Sequence, residues 1–136
     1  TRKESSAASD VYKRQDYGFV PDTLGLDGDP LDVLVFLTEP TFPGCLIEVK
    51  PIGVLNMSDD KGRDEKIICV PVADPTWNQL ENIEDMNSHT LKAVEHFFKT
   101  YKDLENKTCV VEGYGDKEQA LQIIQEAFDR FVPSQA

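Results

Sequence analysis

Positive charge is scarce in this sequence. The 136 residues contain 14 lysines and arginines against 25 aspartates and glutamates, which gives a formal net charge of −11 at pH 7. Binding to nucleic acid or to an anionic membrane requires a basic surface, so we expect neither partner. Long apolar runs are also lacking: no stretch approaches the roughly 20 apolar residues of a membrane span, and no signal peptide is visible. These absences predict a cytoplasmic protein.

Cysteine and histidine are few, which limits the kinds of metal or covalent site. The three cysteines, Cys45, Cys69 and Cys109, lie far apart, and neither of the 2 histidines stands at a metal-ligand spacing from any of them. A disulfide framework or a zinc site is therefore not expected. Cys69 and Cys109 stand in apolar segments and are predicted to be buried small side chains.

The length of the chain fits one domain with a core of its own. Residues 1–15 are polar and unpatterned, and we expect a disordered tail that is foreign to the domain of residues 16–136. Runs rich in Val, Ile, Leu or Cys predict four strands, at about 31–37, 46–54, 66–72 and 108–112.

Helical spacing of apolar residues predicts two main helices in the second half of the chain. The first covers 88–104 behind a Ser88 cap, and the second covers 116–131, where Asp116 with Gln119 resembles a capping box. Strands first and helices last favour an α+β fold, in which short strands form a small closed β-barrel with the helices packed outside.

The most informative segment is Asp27-Gly28-Asp29-Pro30-Leu31-Asp32, which places three carboxylates in one turn before a strand. Carboxylates held this close repel one another unless a cation lies between them, and hard divalent ions such as Mg²⁺ prefer oxygen ligands. A second acidic turn contains Asp59, Asp60 and Asp64. If the two turns face each other, the site could hold two or more magnesium ions, the arrangement that supports phosphoryl transfer.

Structural interpretations compete with each of these roles. Asp and Gly are common in turns for local hydrogen-bonding reasons. Lys66 could bind phosphate or could protect the edge of a sheet, and Arg63 reads as a solvated loop residue. Tyr101 could pack in the core with its hydroxyl at the rim, and Lys102 could point to water. An EF-hand loop is excluded, because one that starts at Asp27 requires Gly and Glu where Asp32 and Thr38 stand.

Taken together, several segments resemble the soluble family I inorganic pyrophosphatases, over roughly residues 16–131. The Asp-Gly-Asp-Pro-Leu/Val-Asp segment is the most specific part of the resemblance. The matching segments are Tyr17-Gly18-Phe19-Val20-Pro21, residues 26–35, residues 54–59, Asp64-Glu65-Lys66, residues 96–104 and Val111-Glu112-Gly113.

The resemblance implies an OB-like β-barrel flanked by helices and Mg²⁺-dependent hydrolysis of pyrophosphate to two phosphates. By the same resemblance, Asp27, Asp32 and Asp64 would hold the metals that activate water, and Asp59 would assist with metals carried by the substrate. Asp29 would be the general base. Phosphate would be bound by Lys66, Tyr101 and Lys102, and Tyr17 would support the acidic residues. The family also implies a homo-oligomer, for which helix 88–104 with His96 is a plausible contact.

One departure from the family pattern concerns the front of the chain. Family members carry further residues before the Tyr-Gly-Phe segment, usually ending in Tyr-Pro-x-x-Tyr-Gly, whereas this chain has Lys13-Arg14-Gln15-Asp16-Tyr17-Gly18. We therefore expect the N-terminal portion to be missing or replaced and the barrel to be incomplete there. Two alternatives stay open: a catalytically dead or truncated metal-binding module of the same fold, and an acidic interaction domain.

Overall fold

A computed structural model describes residues 15–38, 41–60, 62–104 and 109–135. The predicted tail thus falls outside the described residues, apart from Gln15, and the domain boundary at residue 16 stays a prediction. The elements, in chain order, are β1 Gln15–Phe19, β2 Asp32–Phe36, β3 Val49–Asp59, β4 Gly62–Arg63, β5 Lys66–Pro71, a 3₁₀ helix Ile83–Asp85, α1 Ser88–Leu104, β6 Cys109–Gly115 and α2 Lys117–Gln135.

The six strands form one mixed sheet in the order β1-β2-β5-β3-β4, and β6 pairs with β3 as well. The β2–β5 pairing is parallel, and the other pairings are antiparallel. Within the described residues, β1 pairs only with β2 and β6 only with β3, so the sheet does not close. The predicted α+β fold, an OB-like barrel that is incomplete and flanked by two helices, is confirmed.

Both faces of the sheet are buried, each under one helix. Val33 and Val35 of β2 face the cluster that contains Ala120 and Ala127 of α2. The alternate residues Leu34 and Phe36 belong to the opposite cluster, together with α1. This alternation follows from the two-residue period of a strand. The central strand β5 is buried along its whole length, which explains its continuous apolar sequence.

The strand predictions need corrections at β1, β3, β4 and β6, the last of which was predicted at 108–112 and is observed at Cys109–Gly115. Residues 15–19 form β1 although Gly18 and Asp16 weaken the strand pattern, because pairing with β2 outweighs local propensity. Strand β3 was predicted at 46–54 but covers Val49–Asp59, since its second half pairs with β6. The two-residue strand β4 was not predicted, and it pairs with the end of β3.

The helix predictions are close to the observed bounds. Helix α1 covers the predicted 88–104, but its cap is Asn87, whose Oδ1 accepts from the backbone N–H groups of His89 and Thr90 at 2.7 and 3.4 Å. Helix α2 continues to Gln135. Its first turn is capped by Asp116, which accepts from the Gln119 N–H at 2.9 Å. None of the described helices is long and apolar enough to cross a membrane.

Candidate active site

The candidate site lies at the start of the parallel strands β2 and β5. Their first residues, Asp32 and Lys66, are direct partners in the parallel register, so their side chains leave the sheet next to each other. The Lys66 Nζ donates to Asp32 Oδ2 at 2.9 Å and to both oxygens of Asp64 at 2.9 and 3.0 Å. One ammonium group therefore joins two carboxylates that the sequence assigned to metal binding.

Two aromatic rings lie close to the Lys66 ammonium. Its Nζ lies 5.4 Å from the ring centroid of Tyr17 and 5.9 Å from that of Phe98. The two rings meet edge to face, with centroids 5.6 Å apart. Lys66 is only 6% exposed and β5 lies inside the sheet, so the alternative of an edge-protecting lysine is wrong. A buried cation requires paired charges, and Asp32 and Asp64 supply them.

Burial and charge act against each other on the ionisable groups of this cluster. Desolvation raises the pKa of Asp32, and Lys66 only partly offsets this effect. Burial alone would lower the pKa of Lys66, but Tyr17, Asp32 and Asp64 outweigh it and raise that pKa above its ordinary value. Burial also raises the pKa of the Tyr17 phenol. The cluster therefore holds a protonated lysine and carries more negative charge than this lysine neutralises.

The turn before β2 is built by local hydrogen bonds. The Gly25 N–H donates to the Asp29 carbonyl at 2.7 Å, and the Asp29 N–H donates to Asp27 Oδ1 at 3.1 Å. Gly28 has φ +91°, a left-handed conformation that favours glycine. The buried Thr23 hydroxyl donates to the Val20 carbonyl at 2.6 Å and accepts from the Leu31 N–H at 3.0 Å. These bonds fix the direction in which the acidic side chains leave the turn.

Helix α2 fixes the same turn from outside. The Leu24 N–H donates to the Ala127 carbonyl at 3.0 Å, and the Arg130 Nε donates to the Leu24 carbonyl at 2.8 Å. Sequence reasoning missed both Thr23 and Arg130. Neither stands in a motif: Thr23 is one of several polar residues in the turn, and Arg130 lies 106 residues from its partner.

A small cleft of about 10 Å³ opens between the two acidic turns. This volume is about the minimum that can hold one water molecule. Its charged lining consists of Asp27, Asp32, Asp64, Glu65 and Arg63. Arg63 is exposed, as expected for a solvated residue, and its guanidinium contacts Glu65 and Glu112, each at 3.4 Å.

The structure brings only some of the predicted residues to this cleft. Asp29 is exposed on the turn and is not part of the lining, and neither is Asp59 at the end of β3. Asp59 has an interaction of its own within the fold. The side chains of Tyr101 and Lys102 lie outside the described part of the structure. The cleft therefore brings together Asp27, Asp32 and Asp64. Lys66 is not in the lining but donates to Asp32 and Asp64, and the Tyr17 ring lies 5.4 Å from its Nζ.

The donor chemistry of the cluster fits a hard divalent cation. All candidate ligands are carboxylate oxygens, and a single ammonium, that of Lys66, faces the two carboxylates of Asp32 and Asp64. Across the described residues, no three Asp, Glu, His or Cys side chains are arranged to hold one ion together. The ammonium of Lys66 lies between two of the candidates in this arrangement.

A second, larger cavity of about 500 Å³ lies beside β1. It is lined mostly by apolar side chains, among them Phe19, Val35, Phe42 and Leu46. We assign the chemistry to the small cleft, because a phosphorylated substrate requires cations and the described lining of the larger cavity contains no lysine or arginine.

Comparison with known protein families gives a match over most of the chain. The sequence model of the family described as inorganic pyrophosphatase matches residues 3–132. An inorganic pyrophosphatase from Methanosarcina mazei is 60% identical over 117 residues, which are 86% of this chain and 69% of that protein. One from Halalkalibacterium halodurans is 47% identical over 123 residues, or 90% of this chain and 76% of that protein.

Solved structures are similar as well. The inorganic pyrophosphatase of Helicobacter pylori superposes with a TM-score of 0.83 at 43% identity, covering 88% of this chain and 72% of that one. The inorganic pyrophosphatase of Thermus thermophilus gives a TM-score of 0.82 at 40% identity, covering 85% and 68%.

Proposed function

Because this chain belongs to the inorganic pyrophosphatase family, we propose that it hydrolyses inorganic pyrophosphate to two phosphates. One observation of the fold carries the proposal: the two acidic turns meet, and Asp27, Asp32 and Asp64 line the same cleft. This arrangement of carboxylates agrees with the chemistry of pyrophosphate hydrolysis, the activity for which the relatives are named.

Charge explains why this acidic cleft requires cations. Pyrophosphate is a polyanion and the chain carries a net charge of −11, so substrate and site repel each other unless positive ions lie between them. Family members are generally metal-dependent, and we propose Mg²⁺ because the donors are all carboxylates. Asp27, Asp32 and Asp64 would hold it, with Asp59 as a further ligand. The bound ion would supply Lewis acidity and lower the pKa of coordinated water.

The remaining residues have proposed roles in moving protons and binding phosphate. Asp29, exposed on a turn fixed by hydrogen bonds, would accept the proton of the attacking water. Lys66, Tyr101 and Lys102 bind phosphate oxygens and stabilise the charge that develops on the leaving group. Tyr17 supports the cluster, since its ring lies under the Lys66 ammonium.

Phosphate release from pyrophosphate tests the proposal. We would compare the native chain with Asp32→Asn, which removes one charge from the cleft, and with the matched control Asp22→Asn. Asp22 is exposed, lies outside the cleft and has φ 61°, a conformation that asparagine tolerates. At millimolar Mg²⁺ we expect native activity that a chelator abolishes, a loss of about 100-fold or more in Asp32→Asn, and native-like rates in the control.

Two results would contradict the proposal. One is a folded native chain that binds Mg²⁺ and releases no phosphate, which would indicate a dead module. The other is equal activity in the two variants, which would show that the cleft is not the reaction site.

A homo-oligomer and a cytoplasmic location are part of the same proposal. The outer face of α1 supports self-association, since His96 is exposed there and the neighbouring Phe97 is 38% exposed. Light scattering coupled to size exclusion would give the mass of the assembly, and a monomer over the whole concentration range would exclude the oligomer.

A further inference from the structure

Lys66 is fully engaged by the carboxylates that the metal would use. Its ammonium has three donors, and three short contacts are present: one to Asp32 and one to each oxygen of Asp64. The Lys66 side chain is 7% exposed and that of Asp64 is 11% exposed, so water contributes little to the solvation of either charge. An ammonium in this position offsets part of the negative charge of the two aspartates from inside the protein.

A divalent ion at the same oxygens would meet this ammonium. Both are cations, and the three Lys66 contacts occupy both oxygens of Asp64 and one of Asp32. Two cations that share these oxygens within a buried site repel each other strongly. We propose that Lys66 is an internal counter-ion: its pairing with Asp32 and Asp64 excludes metal binding by the same pair, and the metal-loaded site requires this pairing to break. This inference rests on the metal site of the proposed function.

Aromatic rings stabilise the ammonium in addition to the carboxylates. The rings of Tyr17 and Phe98 lie 5.4 and 5.9 Å from Nζ in the paired state, so these contacts can remain when Nζ shifts away from the carboxylate oxygens. The flexible four-carbon stem of lysine permits such a shift without movement of β5. A lysine released in this way is available to an anionic ligand only after metal has bound, which imposes an order on the loading of the site.

Competition between Lys66 and metal has a measurable consequence, because the coupling is reciprocal. If metal must displace the ammonium, removal of the ammonium must tighten metal binding. The measurement is titration calorimetry of Mg²⁺ in the absence of pyrophosphate, on the native chain, Lys66→Met and Lys50→Met. Lys50 also forms an ion pair, at 2.7 Å to Glu81, so its variant changes the net charge equally and lies outside the cleft.

We expect Lys66→Met to bind Mg²⁺ roughly 10- to 100-fold more tightly than the native chain, and Lys50→Met to stay within about twofold. Melting temperatures give a second readout. Without metal, Lys66→Met should melt below the native chain, and Mg²⁺ should raise its melting temperature by more than it raises the native one. A lysine with only a structural role would lower both melting temperatures equally.

Equal or weaker Mg²⁺ binding by folded Lys66→Met would overturn the inference, as would the absence of Mg²⁺ binding in all three proteins. Circular dichroism establishes folding. If Lys66→Met does not fold, Lys66→Gln takes its place, because an amide can still donate to Asp32 and Asp64 without a charge. The Mg²⁺ titration contains no pyrophosphate, so it tests this inference separately from catalysis. A chain that binds Mg²⁺ as expected and hydrolyses no pyrophosphate would contradict the proposed function and leave this inference standing.

Discussion

Thr23→Val tests how the acidic turn is held in place. Valine has nearly the shape of threonine, so the substitution removes the hydroxyl without opening a cavity. The hydroxyl serves two backbone groups, the Val20 carbonyl at 2.6 Å and the Leu31 N–H at 3.0 Å, and Thr23 is only 2% exposed. Water therefore cannot replace the lost partners.

The expected cost follows from these two bonds. Leaving a buried donor or acceptor without a partner costs about 1–3 kcal/mol, so two such groups should lower the free energy of unfolding by about 2–3 kcal/mol after some relaxation. For a domain of this size, the loss corresponds to a fall in melting temperature of roughly 6–12 °C.

The assay is urea unfolding in the presence of a chelator, so that metal binding does not contribute to the measured stability. The matched control is Thr100→Val on α1, where the hydroxyl is exposed and its only described partner is His96, at 3.5 Å. The control should change the free energy of unfolding by less than about 0.5 kcal/mol. A loss in Thr23→Val no larger than that of the control would refute the role assigned to this hydroxyl.

Two further predictions concern ionisable groups outside the cleft. The hydrogen bond from Lys50 and its charge lower the pKa of Glu81, so the stability that this pair contributes is present above the ordinary carboxyl pKa and is lost as the pH falls through the lowered value. Melting temperatures between pH 6 and pH 3 should therefore fall less steeply in Glu81→Gln, and identical profiles would contradict the assignment. Burial raises the pKa of the Cys69 thiol to about 12, so iodoacetamide at pH 8 should modify the half-buried Cys45 in the folded chain and Cys69 only after unfolding. Peptide mass spectrometry distinguishes the two sites, and equal labelling of both in the folded chain would contradict the burial of Cys69.

The elements with strong local signals were predictable from the sequence. Helix α1 has a clear apolar stripe, and its predicted bounds are confirmed. Its cap was misassigned by one residue because Asn87 and Ser88 are both good capping residues, and only the hydrogen bonds distinguish them. Strand β1 was missed because its formation depends on a partner, β2, rather than on its own sequence.

The site was predictable in composition but not in arrangement. The acidic turns are visible in the sequence, yet the contact between Asp32 and Lys66 depends on the parallel pairing of β2 with β5. These two strands are separated along the chain by β3 and β4, and no local pattern encodes their register. The same applies to Arg130, which reaches Leu24 only because α2 packs over the turn.

Hydrolysis of pyrophosphate in ¹⁸O-labelled water, followed by ³¹P NMR, tests the central claim most directly. The native chain with Mg²⁺ should convert the pyrophosphate resonance to orthophosphate, with water oxygen entering one of the two phosphates formed from each molecule. The conversion should stop when a chelator removes the metal. A folded chain with Mg²⁺ bound that leaves the pyrophosphate resonance unchanged would contradict the account.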